Sequence, residues 1–140
     1  MQIILLSIGK TTSSQCRSLE DTYERRIRGR FSCRRHYVKN EKELRKYLQE
    51  TSATVILLEE RGKQMDTPTF ARYMDRLTRS AKSAVFVIGD AAGIPADIRA
   101  TYVQAVSLSP LTFPHELARV LILEQLYRAQ TLLVGHPYHK

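Results

Sequence analysis

The chain has 140 residues, 43% of them hydrophobic and 26% charged, with a formal net charge of +8 at pH 7. This length suits one globular domain with a real core. No stretch approaches the roughly 20 apolar residues of a membrane span. Two cysteines, Cys16 and Cys33, are too few for a disulfide scaffold and lack metal-ligand spacing. We therefore expect a single domain over residues 1–140, located in the cytoplasm, with no membrane and no metal among its partners.

Strand and helix patterns alternate along the first half of the chain. Asn40 and Glu43 have the spacing of a helix N-cap and its capping-box partner. The run from Ala53 to Leu58 is apolar on both faces, as a central parallel strand is. The predicted strands are 3–8, 31–39 and 53–58, and the predicted helices are 14–28 and 40–50.

The second half continues the alternation. Thr67 and Pro68 read as the N-cap and first turn of a helix, and an apolar stripe with helical spacing follows them. The stripe consists of Phe70, Tyr73, Met74 and Leu77. The predicted strands are 84–88 and 104–109, and the predicted helices are 95–100 and one that begins near Pro114. Because helices separate the strands, the strands should pair in parallel, and the predicted class is α/β.

Three loops are candidates for one shared site. They follow Leu58, Ile88 and Leu108, each at the carboxyl end of a predicted strand. In a parallel sheet these ends lie on the same side, where open α/β sheets bind ligands. Gly89 and Gly93 bracket the second loop and would let the backbone approach a ligand closely. The sequence therefore predicts one pocket built from these loops.

The positive charge is concentrated between Arg17 and Lys39, where eight basic side chains face three acidic ones. Seven of the eight are arginines, which suit bidentate phosphate contacts, and aromatic residues lie among them. A solvated basic face is the simpler interpretation. The clustering nevertheless favours a nucleic-acid surface, and on the predicted basic helix Arg25, Arg26 and Arg28 are the candidate RNA-binding residues.

Several familiar chemistries have no support in the sequence. The first predicted strand is not followed by G-x-G-x-x-G, and there is no G-x-x-x-x-G-K-[ST] phosphate loop. The four histidines do not form a metal-binding spacing with the cysteines, and no serine or cysteine lies in a nucleophile motif. The C-terminal tail, with His136, Tyr138 and His139, is either a frayed end or part of a site that uses histidine as a general base.

The last predicted helix is apolar around most of its circumference. A surface helix shows only a stripe of apolar residues. A domain of this size seldom buries such a helix alone, so the pattern predicts a homodimer in which a second subunit covers the remaining face.

The C-terminal segments resemble those of the ribosomal RNA large subunit methyltransferase H family, a small single-domain branch of the SPOUT class. The resemblance rests on Ser107–Leu121, on Glu124-Gln-Leu-Tyr-Arg128 and on Gly135-His-Pro-Tyr-His-Lys140. The segment Leu57-Leu-Glu-Glu-Arg-Gly-Lys63 and the chain length agree with it. The resemblance implies an α/β domain with a C-terminal trefoil knot, a homodimer, and S-adenosylmethionine as methyl donor. It also implies methylation of N3 of a pseudouridine in large-subunit ribosomal RNA within the ribosome.

The resemblance carries site residues over by matching position. It implies cofactor contacts at Leu57, at Gly89 and in the loop of Leu108, Ser109, Pro110, Leu111, Thr112 and Phe113. The resemblance assigns no general base; from the chemistry of the tail, His136 or His139 would take the N3 proton directly or through water, and Tyr138 would stack on or orient the base. The family usually has two adjacent glycines after the fourth strand, whereas here the second is Asp90. If that position needs positive φ, Asp90 weakens cofactor binding; alternatively, its carboxylate attracts the donor's positive charge.

Two other functions stay open from the sequence. One is an RNA-binding or ribosome-binding factor that keeps the fold without catalysis, which Asp90 makes conceivable. The other is a small nucleotide-sensing module whose basic face binds an acidic partner protein.

Overall fold

Five strands and five helices alternate along residues 1–139, the part of the chain that this computed structural model describes. In chain order they are β1 (Gln2–Ile8), α1 (Ser14–Arg26), β2 (Ser32–Val38), α2 (Glu41–Glu50), β3 (Thr54–Gln64), α3 (Thr67–Ser80), β4 (Ser83–Ile88), α4 (Ala96–Thr101), β5 (Ala105–Ser107) and α5 (His115–Leu133).

The five strands form one parallel sheet in the order β2-β1-β4-β3-β5. The α/β class and the parallel pairing are therefore confirmed. Because β4, β3 and β5 are neighbours, the segments that follow Leu58, Ile88 and Leu108 lie side by side. The three segments predicted to share a site therefore converge, although the one after Leu58 belongs to strand β3 and is not a loop.

Helices cover both faces of the sheet and create two cores. One core joins the sheet to α1, α3 and α5, and it includes the fully buried Ile3, Phe86 and Met74. The other joins the opposite face to α2 and α4 through Leu44 and Ile98. Each central strand therefore contributes side chains to both cores, which explains why the third and fourth strands are apolar on both faces.

Several element boundaries differ from the sequence predictions. The β3 strand continues past Leu58 to Gln64, through polar residues, because its second half pairs with β5 after a register shift. Gly62 permits this pairing, since a Cβ there would lie 2.6 Å from the backbone carbon of Val106. The α1 helix ends at Arg26, since Ile27 leaves the helix as its C-cap, and the N-cap of α3 is Asp66 instead of Thr67. The Asn40 N-cap is confirmed by the 2.9 Å bond from Glu43 N to Asn40 Oδ1.

The α5 helix is buried largely within its own chain. It packs between α1 and α3 against the sheet, and Ile122, Leu123 and Leu126 are completely buried. The premise that one small domain cannot bury this helix is therefore wrong, because α1 and α3 form a groove for it. Only Leu117 among its leucines is clearly exposed, at 40%, so a dimer needs a different argument.

Two absences hold for the described residues. Within residues 1–139, no helix combines the length and apolar character needed to cross a membrane, and no three His, Cys, Asp or Glu side chains are grouped so as to hold a metal ion. Cys33 is buried, and this desolvation raises the pKa of its thiol to about 12. The Cys33 thiol is therefore unsuited to nucleophilic chemistry near neutral pH.

Candidate active site

A cavity of about 450 Å³ opens beside the middle of β3, next to the carboxyl ends of β4 and β5. We call it the strand-end cavity. All three segments predicted as loops contribute to its wall, together with the first turns of α5. Its lining residues are Leu58, Glu59, Glu60, Arg61, Ile88, Gly89, Asp90, Ala92, Gly93, Ile94, Arg99, Leu108, Ser109, Leu111, Phe113, His115 and Ala118.

The turn after β4 is tight, and its two glycines are needed for different reasons. Gly93 has φ +83°, a conformation that favours glycine. Gly89 does not have positive φ; instead the turn folds back onto it. A Cβ at Gly89 would lie 2.4 Å from the carbonyl carbon of Gly93 and 2.7 Å from the nitrogen of Ile94. Gly89 is therefore needed for close backbone approach inside the cavity wall.

Asp90 fits this turn without strain. No residue other than glycine has positive φ within residues 1–139, so the concern that Asp90 occupies a glycine-only conformation is wrong. Its backbone carbonyl accepts a 2.9 Å bond from Gly93 N, and its Oδ1 accepts a 2.8 Å bond from Ala92 N. This side-chain turn is one that aspartate and asparagine both form.

The structure separates the predicted cofactor residues into two groups. Leu108, Ser109, Leu111 and Phe113 line the strand-end cavity together with Gly89. The others do not line it. Pro110 borders a neighbouring cavity beside Met65, Thr112 is exposed, and the Leu57 side chain is buried in the core on the α2 side of the sheet.

Charged cavity residues were missed by the sequence reasoning. Glu59, Glu60 and Arg61 directly follow the apolar part of β3, and Arg99 reaches in from α4. Arg99 and Glu59 form an ion pair at 3.9 Å. The signal available in the sequence was the polar run after Leu58, which we interpreted as a loop leaving the sheet.

The wall formed by α5 is fixed to the loop after β1. Glu116 accepts backbone hydrogen bonds from Thr12 and Ser13. Arg119 is completely buried and donates at 3.1 Å to the carbonyls of Ile8 and Gly9. Arg119 is thus a structural link that holds the start of α5 beside the cavity.

The C-terminal tail folds back onto α5. The Tyr138 hydroxyl donates to Glu124 Oε1 at 3.1 Å, and its ring lies 4.6 Å from that of Tyr127. The Arg128 guanidinium lies 4.8 Å from the centre of the Tyr138 ring and also donates to Glu124. Together with Tyr23, 6.1 Å from Tyr127, these residues form what we call the tail cluster. Burial, with hydrogen bonds to Tyr23 and Glu124, raises the pKa of Tyr138, so its hydroxyl stays protonated.

Both tail histidines have one ring nitrogen engaged. His136 Nδ1 accepts a 3.2 Å bond from the backbone nitrogen of Tyr138. His139 Nδ1 lies 3.4 Å from Arg128 Nη1, which can only donate. A neutral imidazole in either position therefore carries its proton on Nε2. In this arrangement neither histidine has a free basic nitrogen.

The tail cluster and the strand-end cavity are separate in one chain. The last cavity residue on α5 is Ala118, whereas the tail is anchored at Glu124 and Arg128. At about 1.5 Å of rise per residue, these anchors lie roughly 9 and 15 Å further along the helix. No residue from 124 to 139 lines the cavity.

The predicted RNA-binding arginines have different surroundings. Arg25, Arg26 and Arg28 are all exposed. The Arg26 guanidinium lies over the rings of Tyr23 and Tyr127, at 5.9 and 5.8 Å, and so touches the tail cluster. Other arginines of this basic segment are less available to contact RNA. Arg35, for example, forms ion pairs with Glu20, Asp21 and Glu24.

Comparison with known proteins agrees with this architecture. The family model described as "Predicted SPOUT methyltransferase" matches residues 1–139. Ribosomal RNA large subunit methyltransferase H of Syntrophobacter fumaroxidans is 35% identical over 157 residues, which cover 100% of both chains. The protein of the same name from Sorangium cellulosum is 38% identical over 143 residues, which cover 99% of each.

Solved structures show the same fold at low sequence identity. A probable methylase family protein from Haemophilus influenzae matches with a TM-score of 0.59 and 12% identity, over 99% of this chain and 70% of that one. The SpoU methyltransferase AviRb from Streptomyces viridochromogenes, in complex with AdoMet, matches with a TM-score of 0.54 and 13% identity, over 93% of this chain and 57% of that one. By fold, family model and full-length relatives, this chain belongs to the ribosomal RNA large subunit methyltransferase H family of SPOUT methyltransferases.

Proposed function

We propose that this chain transfers a methyl group from S-adenosylmethionine to large-subunit ribosomal RNA, at N3 of a pseudouridine in the ribosome. The observation that carries the proposal is the strand-end cavity. It lies at the segments predicted to share a site, in a chain similar over its whole length to proteins named ribosomal RNA large subunit methyltransferase H.

The residues present fit the donor. About 450 Å³ is within the range of small-molecule sites. Leu108, Leu111 and Phe113 offer apolar and aromatic surface, and Gly89 lets backbone groups come close. Three carboxylates line the cavity and suit a ligand with sulfonium and ammonium charges. S-adenosylmethionine supplies an electrophilic methyl group, so the protein has to align the two substrates and assist removal of the N3 proton.

The tail cluster is our candidate for the acceptor side. Tyr138 offers a ring for stacking and a hydroxyl held by Glu124. For His136 or His139 to accept the N3 proton, its Nδ1 must first leave the contact described above. Docking of the RNA next to Arg26, which touches the cluster, gives a reason for that rearrangement.

A homodimer would bring the two halves of the site together. Reacting atoms have to approach to about 3–3.5 Å, whereas the tail cluster lies well beyond the cavity on the same helix. A second chain placed against α5 would bring its own tail to the cavity of the first. The exposed Leu117, Leu19 and Leu111 provide apolar surface on α5, on α1 and beside the cavity. The implied trefoil knot agrees with the path of α5, which returns from the sheet edge to lie between α1 and α3.

We expect Leu117→Glu to convert the dimer into a folded monomer and to reduce methylation at least tenfold. Leu117 is 40% exposed, so the charge disturbs a contact between subunits more than the core. Sedimentation velocity at micromolar concentration measures the change, and Val103→Glu, at a residue that is 85% exposed, is the matched control. A monomeric wild-type protein would contradict the dimer.

We expect Arg25→Ala combined with Arg28→Ala to weaken binding to ribosomes and to reduce the slope of log affinity against log salt by about one unit per lost phosphate contact. Donor binding should not change. The control is Arg72→Ala with Arg76→Ala, two exposed arginines on α3 that remove the same charge. An equal loss of ribosome affinity in both double variants would mean that binding depends only on the net charge of the protein and not on Arg25 and Arg28.

Calorimetry and mass spectrometry test the function itself. Saturable binding of S-adenosylmethionine, with appearance of N3-methylpseudouridine in ribosomes from cells lacking the modification, is the expected result. No donor binding at millimolar concentration would favour an inactive ribosome-binding factor. Donor binding without any affinity for ribosomes would favour a sensing module with a protein partner.

A further inference from the structure

Asp90 places a fixed carboxylate in the wall of the strand-end cavity. Its Oδ1 is held by Ala92 N at 2.8 Å, while the second oxygen accepts no hydrogen bond within residues 1–139. The side chain is half-buried in a turn closed by the bond from Gly93 N to its carbonyl. The carboxylate therefore has one oxygen committed to the turn and one available to a ligand.

The other cavity carboxylates are less suited to hold a charge in place. Glu59 is paired with Arg99 at 3.9 Å, which offsets its charge. Glu60 is exposed, on a longer side chain, and sits next to Arg61 in sequence. Asp90 is thus the cavity carboxylate that is both oriented by the backbone and without an ion-pair partner in the described chain.

The donor and its product differ mainly by one positive charge. S-adenosylmethionine carries a sulfonium, whereas S-adenosylhomocysteine has a neutral thioether; both keep the same ammonium and carboxylate. An ammonium has three N–H donors and needs hydrogen-bond acceptors. A sulfonium has no N–H and is stabilised by charge alone, which a carboxylate oxygen in a half-buried site supplies.

Resting on the proposed function, we propose that Asp90 makes this enzyme selective for the charged donor over the neutral product. The carboxylate attracts the sulfonium and contributes nothing to the thioether left after transfer. Asp90 thereby favours donor loading and product release at the same site. Under this proposal Asp90, which stands where the second of two adjacent glycines was expected, strengthens donor binding instead of weakening it.

Calorimetry with three ligands tests the proposal without an activity measurement. We expect Asp90→Asn to weaken the binding of S-adenosylmethionine about five- to tenfold and to change the affinity for S-adenosylhomocysteine by no more than about twofold. Asparagine keeps the Oδ1 acceptor and therefore the turn. In sinefungin an ammonium-bearing carbon replaces the sulfonium, so Asp90→Asn should weaken its binding about as much as that of the donor. The wild-type preference should also shrink as salt is added.

Matched variants separate the possible outcomes. Glu60→Gln removes one negative charge from the same cavity and should change the donor-to-product ratio less than twofold. Asp90→Gly should lose the preference as Asp90→Asn does. Equal weakening of donor and product by Asp90→Asn would overturn the proposal and indicate the shared ammonium as the group contacted. If Glu60→Gln changed the ratio of donor to product affinity as much as Asp90→Asn does, the proposal would also be overturned. The preference would then come from the total negative charge of the cavity and not from Asp90. If wild-type protein binds neither ligand, the proposed function fails instead.

Discussion

Deleting residues 136–140 should abolish methyl transfer, by at least about a hundredfold, while S-adenosylmethionine binds with nearly unchanged affinity. No tail residue lines the strand-end cavity, whereas Tyr138 and the two histidines belong to the proposed acceptor side. Single-turnover methylation of unmodified ribosomes and calorimetry with the donor measure the two effects. Within residues 136–139 the tail contacts side chains of α5 and Tyr23 of α1 at the surface of the domain, so the thermal midpoint should fall by no more than a few degrees.

A single substitution in the tail refines this result. Tyr138→Phe keeps the ring beside Tyr127 and Arg128 and removes only the hydroxyl with its hydrogen bonds to Glu124 and Tyr23. It should therefore lose less activity than the deletion. Full single-turnover methylation by the protein lacking the tail would show that the tail is only a docked end of the chain.

The site could be predicted from the sequence where a simple rule connects pattern to position. Apolar runs separated by helices give parallel strands, and the carboxyl ends of parallel strands share a side. The segments after Leu58, Ile88 and Leu108 were therefore expected to converge, provided their strands were neighbours; they do, although the first of them continues as strand β3. The neighbour order β4-β3-β5 itself is a tertiary property that no local pattern contains.

Other features depend on long-range contacts and were not predictable. The extension of β3 through Gly62 exists because β5 pairs with it after a register shift. The burial of Arg119 depends on carbonyl groups more than 100 residues earlier in the chain. The pairing of Tyr138 with Glu124 likewise requires the chain to turn back after Gly135, which has φ +70°.

Gly89→Ala should abolish donor binding, with an affinity loss of at least about a hundredfold. The added Cβ would meet backbone atoms of Gly93 and Ile94 at 2.4 to 2.7 Å, closer than packed atoms can approach. These are backbone atoms and cannot rotate away, so the turn that forms the cavity wall has to move. The stability cost should be roughly 1–3 kcal/mol, measured by thermal unfolding alongside calorimetry.

The control for stability is Gly9→Ala. Gly9 has φ +75° and open space around its Cα, so alanine there is strained without a clash and lies outside the cavity. A comparable loss of thermal midpoint with intact donor binding in Gly9→Ala separates cavity damage from general destabilisation. Donor affinity within threefold of wild type in Gly89→Ala would mean that the donor does not use this wall.

The two defective proteins also test whether one site is shared between chains. A heterodimer of the Gly89→Ala chain with the chain lacking residues 136–140 contains one intact cavity and one intact tail, on different subunits. If the partner's tail serves each cavity, mixing and re-equilibrating the two inactive proteins should restore up to about a quarter of wild-type activity. This follows because random exchange gives half heterodimers, each with one working site in place of two. No recovery, with heterodimers demonstrated by mass spectrometry, would mean that cavity and tail must act within the same chain, and the dimer would then have no catalytic role.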